Sequence, residues 1–123
     1  MDPVVVRPWP EPVERVAVFL RAAGAEARIE QMRGETATAQ EAADAVGCTL
    51  GQIVKSLVLV CDGATTAVAL VPGDRRADTR KIARTLGAGH ARVARPDEVL
   101  TATGYEPGAV APFSLVRVQH VVG

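Results

Sequence analysis

Lys55 stands inside the apolar run Gln52-Ile53-Val54-Lys55-Ser56-Leu57-Val58-Leu59-Val60. β-Branched residues and leucines flank it closely, so the segment reads as a buried strand. Burying an ammonium group is costly unless it meets an anion or a hydrogen-bonding partner. Its tip therefore either enters a cleft or snorkels to the surface. On a rigid strand such a cation offers fixed charge to a phosphate or a developing oxyanion without acting as a base. The second chemistry-bearing stretch is Gly108-Ala109-Val110-Ala111-Pro112. Glycine lets the backbone approach a ligand, Pro107 and Pro112 stiffen the loop, and its N–H groups can hold a carbonyl or a water. The same residues also suit a simple tight turn. Ser56 is either a small hydroxyl donor to a ligand or a satisfied strand serine.

Other polar groups fit structural roles better. Asp74 and Asp78 flank two arginines, at spacings that suit a turn and a helix cap. His90 and His120 stand apart from paired cysteines or carboxylates, so neither a metal site nor a triad is indicated. Cys48 and Cys61 sit among apolar neighbours at no metal or redox spacing and read as core thiols. Tyr105 reads as a loop anchor.

The elements that must position these groups alternate. Pro10-Glu11-Pro12 opens a helix with Val13, Val16, Ala17 and Leu20 at helical spacing, stopped by Gly24. Residues 27–32 alternate as a half-buried edge strand. Thr38-Ala39-Gln40-Glu41 is a capping-box pattern that opens a short helix ended by Gly47. Strands over 53–61 and 66–71 flank the hairpin signal Asp62-Gly63-Ala64-Thr65. Asp78 caps a helix through Leu86 that Gly87 closes. A brief strand at 91–93 precedes a helix at 96–103, and 115–122 reads as a final strand. The pattern is α+β, with a mixed, mainly antiparallel sheet flanked by helices.

With 123 residues the chain is long enough for one core and too short for two. Apolar residues are 48% and aromatics only 3%, so valine, alanine and leucine must build that core. No apolar run reaches about 18 residues, which argues against a membrane span. The acidic Met1-Asp2-Pro3 start lacks signal-peptide features, so a cytoplasmic location is expected. Net charge is zero, yet residues 1–50 carry −3 and residues 51–123 carry +3. The basic excess gathers in Arg75, Arg76, Arg80, Lys81, Arg84, Arg92 and Arg95. Such a cluster suits either a solvated face or one side of a polyanion such as nucleic acid.

Four stretches occur in one order that is specific to a family. They are Thr38 to Ala43, Ile53-Val54-Lys55-Ser56-Leu57, Val71-Pro72-Gly73-Asp74-Arg75-Arg76-Ala77-Asp78 with its helix, and Thr103-Gly104-Tyr105 leading to Gly108-x-x-x-Pro112-Phe113. In these the chain resembles the YbaK/EbsC-type aminoacyl-tRNA deacylases, relatives of the editing domain inserted in bacterial prolyl-tRNA synthetase. The resemblance covers residues 14–113 and implies a single editing domain over 1–123 with a barrel-like sheet. It implies hydrolysis of the ester of misacylated tRNA in trans, tRNA for proline being the first to try and Cys, Ala and other small amino acids staying open. Lys55 and Gly108 match the family's catalytic positions. Ser56, Ala109, Pro112 and Thr38 would contact substrate, and Arg80, Lys81 and Arg84 the tRNA backbone. No metal or organic cofactor is implied. Prolyl-tRNA synthetase is an implied partner, and a non-catalytic tRNA- or synthetase-binding module is the competing class.

Two departures from the family stand out. Ala109 replaces a commoner second glycine, and Ser114 a glycine after Pro-Phe. Longer relatives continue past 122 with further strands and a helix. A strand over 115–122 left at a sheet edge would then pair with a second copy, giving a two-fold dimer.

Overall fold

The computed structural model describes residues 10–25, 29 and 38–123. The chain divides into two compact units, Met1–Glu30 and Gln31–Gly123. The first holds α1, Glu11–Ala22, entered through Pro10 and Pro12 and left through Gly24 at φ +67°. Arg15 reaches back one turn to Glu11 at 2.8 Å, a pair worth a few tenths of a kcal/mol (~0.3–0.5) on an exposed helix. The strand expected over 27–32 lies, apart from Ile29, outside the described residues.

In the second unit α2 spans Ala39–Val46, β1 Val54–Cys61, β2 Thr65–Pro72 and α3 Thr79–Thr85. β3 spans Ala91–Val93, α4 Pro96–Thr103 and β4 His120–Val122. Each helix begins and ends where its punctuation demands. Thr38 Oγ1 accepts the Glu41 N–H at 3.1 Å, and Gly47 closes α2 at φ +76°. A single 3-10 turn at Leu50–Gln52, not foreseen from the sequence, leads into β1.

β1 and β2 pair antiparallel from Val54↔Pro72 to Cys61↔Thr65. Asp62 and Gly63 both take left-handed φ, 52° and 71°, as a tight hairpin whose twist matches its strands requires. β3 pairs antiparallel with β1, β4 parallel with β2, and the order is β3-β1-β2-β4. The sheet is thus mixed and mainly antiparallel, as expected. Barrel closure is not seen among the described strands, where β3 and β4 lie at the two ends of the order.

Both faces of the central hairpin are covered, which is why its strands are nearly continuous in apolar residues rather than alternating. Val58, Val60 and Val68 pack with Ala94 and Val99 on one face. Leu59, Ala69 and Val71 pack with Ala77 and Ile82 on the other. The last strand is three residues long rather than eight. Arg117 N–H goes to Ala102 O at 2.7 Å and Gln119 N–H to Thr66 O at 3.0 Å. Before His120 the chain thus bonds to α4 through Arg117 and to β2 only from Gln119 onward, while Leu115 and Val118 pack into the core. Among the described residues no helix is long and apolar enough to cross a membrane.

Candidate functional site

Along β1 burial rises from exposed Val54 and Lys55 to buried Val58–Cys61. Lys55 accordingly sits at the open end of the strand, not in the buried middle that its apolar neighbours suggested. Its charge stays solvated there while its reach is fixed. The Nζ ammonium donates to the Arg75 carbonyl at 3.2 Å, which leaves its other protons for a ligand.

That carbonyl belongs to the loop between β2 and α3, and the loop is itself clamped. Gly73 N–H donates to Ile53 O at 2.7 Å, and Arg75 N–H to Pro72 O at 3.0 Å. At its far end Asp78 Oδ1 accepts the Arg80 and Lys81 N–H groups, each at 3.1 Å. Asp78 is the helix cap expected of it.

A cavity of about 490 Å³ opens beside this loop. Lys55 and Ser56 line it from β1, Thr38 from the start of α2, and Gly108 from the loop after α4. Four of the residues singled out in the sequence, drawn from three distant stretches, are thus brought together. Ala109 and Pro112 are not among its lining residues; Val110, between them, takes that place. Ile53, Leu57, Val71 and Ala77 supply apolar wall. Arg76 also lines it, a residue that in the sequence is one of a general basic cluster. Among the described residues, the charged groups lining the cavity are Lys55 and Arg76, both cationic, and these favour an anionic ligand.

The Gly108 turn is built from its own residues. Ala109 N–H donates to Glu106 O at 3.0 Å, with Pro107 at the second position and Gly108 at φ +83° at the third. That is the sequence and φ pattern of a type II turn, where glycine avoids the steric cost of positive φ. The rim is pinned by Tyr105, 2% exposed, whose hydroxyl donates to Phe113 O at 3.2 Å. Fully buried Thr103 donates to Val99 O and accepts the Tyr105 N–H. Tyr105 is therefore the anchor it was expected to be.

The basic helix divides. Arg80 and Arg84, one turn apart, line a hollow with His90, whereas Lys81 faces another hollow with Arg75 and Arg76. Neighbouring helix residues point about 100° apart, so the three cations do not form the one patch that their proximity in sequence suggested. Cys61 is buried, and burial first, then the Asp62 carboxylate, raise its thiol pKa. It stays protonated and inert. Among the described residues no three His, Cys, Asp or Glu side chains gather as metal ligands would.

The family model described as aminoacyl-tRNA editing domain matches residues 33–122. The Bacillus subtilis (strain 168) protein YwhH is 36% identical over 93 residues, covering 76% of this chain and 59% of YwhH. A proline--tRNA ligase of Nitratidesulfovibrio vulgaris (strain DP4) is 36% identical over 84 residues, 68% of this chain but 14% of the ligase. The chain thus spans 59% of one relative and 14% of the other, less than two thirds of each. A solved structure, described as a candidate trans-editing enzyme for prolyl tRNA synthetase, superposes with TM-score 0.81 at 34% identity. It covers 93% of this chain and 73% of its own.

Proposed function

The chain belongs to the aminoacyl-tRNA editing domain family, and from that premise we propose that it hydrolyses the ester of misacylated tRNA in trans, in the cytoplasm. The observation that carries this reading is the meeting of Lys55, Ser56, Thr38 and Gly108 around one cationic cavity. The nearby Arg75 carbonyl holds the Lys55 ammonium, whose remaining protons bind the terminal phosphate or ribose of the tRNA. Backbone N–H groups of the Gly108 turn orient the ester carbonyl and stabilise its developing oxyanion. Ser56 hydrogen-bonds the terminal nucleotide. The Thr38 hydroxyl already accepts from Glu41, so its proton is left for the amino-acid end.

The attacking group is water or a hydroxyl of the substrate itself, since among the described residues lining the cavity there is no Ser/His or Cys/His pair. No metal enters this scheme. The proline--tRNA ligases among the relatives, and the trans-editing neighbour, support tRNA for proline as the first substrate to try and the synthetase as a candidate partner.

The test is a deacylation panel of tRNAs mischarged with Cys, Ala and other small amino acids, run with the intact chain and with Lys55→Ala. Lys55 is exposed and makes one backbone contact, so the variant should fold with a stability loss under about 1.5 kcal/mol. We expect its turnover to vanish. Undiminished turnover by a folded Lys55→Ala would remove the lysine from the mechanism. Binding of charged tRNA by the intact chain without turnover would assign it as a non-catalytic module.

A further inference from the structure

Beside the cavity lies a second hollow of about 450 Å³, and the two share Val71, Arg76 and Ala77. Arg75, Arg76 and Lys81 supply its basic side chains, over an apolar floor that includes Leu70 and Ile82. All three cations are exposed. Among the described side chains of this hollow the carboxylate is that of Asp78, engaged by the two N–H groups of α3 that it caps; Gly123 also lines the hollow. Arg75 and Arg76 ride on the loop whose carbonyl holds Lys55. Lys55, Arg76, Arg75 and Lys81 thus form a continuous cationic track that starts in the cavity, crosses the loop at Arg76 and ends beside α3.

We propose that this track is the path of the unpaired 3′ tail of tRNA, with Arg76 at the crossing and each of Arg75, Arg76 and Lys81 on a backbone phosphate. The inference rests on the reading of the cavity as a deacylation site and names how its substrate enters. A basic rim over an apolar floor suits single-stranded nucleic acid, whose charged backbone and base faces can both be satisfied at once. A rigid crossing matters because the terminal ester must arrive in one orientation. The Arg80–Arg84 hollow lies on another face of α3 and does not join the cavity.

The experiment is fluorescence anisotropy of a labelled, uncharged RNA hairpin with an unpaired CCA 3′ tail, and of the same hairpin with a blunt end, over a range of KCl. Proteins are the intact chain, the triple variant Arg75→Gln/Arg76→Gln/Lys81→Gln, single Arg76→Gln, and Arg80→Gln/Arg84→Gln. Each single-strand phosphate contact contributes about 0.7 to the log–log salt slope, so the triple variant should lose about 2 and Arg76→Gln about 0.7. The preference for the tailed hairpin should collapse in the triple variant and persist in Arg80→Gln/Arg84→Gln. Circular dichroism checks each fold, and Arg76→Gln carries the test should the triple variant not fold. An intact chain that binds both hairpins equally, or an Arg76→Gln variant with an unchanged slope, would overturn the path while leaving deacylation standing. An intact chain that binds neither hairpin would overturn the tRNA reading with it.

Discussion

Gly73 sits where no side chain fits. A Cβ there would meet the Leu50 carbonyl oxygen at 2.5 Å and Ala39 Cβ at 3.3 Å. At Gly51 the nearest atoms to a Cβ would be those of the Asp74 carboxylate, from 2.9 Å, and a flexible side chain can swing away. Gly73→Ala should therefore cost about 1–3 kcal/mol in urea unfolding and lower turnover, because the displaced loop carries the carbonyl that holds Lys55. Gly51→Ala should be far milder on both readouts; equal effects would show that the loop is not the rigid support of the lysine. Ser114 carries the opposite strain. It takes φ +56°, a conformation that costs an L-residue about 1–2 kcal/mol. Part of any gain is lost to glycine's greater freedom when unfolded, about 0.4–1 kcal/mol. Ser114→Gly should still raise the melting midpoint by a few degrees. A lowered midpoint would mean that the serine hydroxyl holds this turn. At this scale the site was largely legible. A lysine in an apolar strand and a glycine between prolines are conspicuous because their types conflict with their surroundings. Arg76 was not, since an arginine among arginines looks like solvated surface. Only the fold of the 72–78 loop, 20 residues downstream of Lys55, brings it to the cavity.

β3 is three residues long, and a side-chain fork ties it to the first turn of α4. Arg92 grips Glu98 through its two terminal guanidinium nitrogens, at 2.7 and 2.9 Å, and Arg95 N–H adds a third bond at 2.9 Å. The Arg92 hydrogen bonds, then the Arg95 backbone bond, lower the Glu98 pKa from 4.5 to about 2. A depressed acid contributes stability that is complete above its ordinary value and lost as pH falls through its folded one. Intact protein should thus lose stability between about pH 4.5 and 2 more steeply than Glu98→Gln, with the gap between them closing toward acid. Chemical unfolding midpoints at stepped pH read this directly, and parallel curves would remove Glu98 as the source. Elements announced by local chemistry were readable in advance: the Thr38 and Asp78 caps, the Asp62-Gly63 turn, the proline opening α4. The strand over 115–122 misled because its β-prone residues serve other ends. Leu115 and Val118 fill the core, and the Arg117 and Gln119 amides bond to α4 and β2. Nothing within eight residues of sequence reveals such a choice, which only tertiary partners decide.

For the whole molecule, the shortened β4 changes what self-association can rest on. A dimer half-formed at micromolar concentration needs about 8 kcal/mol. Two three-residue edges meeting about a two-fold axis offer two or three ladder bonds, each worth about 1 kcal/mol net. Apolar burial must supply the remaining ~5 kcal/mol, which is about 200 Å² at 25 cal/mol/Å² before the entropy of association is charged against it. Among the described residues Val121, 48% exposed, is the exposed large apolar side chain on β4, and it cannot meet that cost alone. The dimer we propose through β4 is consequently a weak one. Sedimentation velocity should find a 12.9 kDa monomer at about 1 µM, with a heavier species growing in only at several hundred micromolar. Val121→Lys places a charge beside its own copy across the axis and should abolish that species. A concentration-independent monomer across the whole range would retire β4 as an interface, and a tight dimer insensitive to Val121→Lys would place the contact elsewhere on the surface.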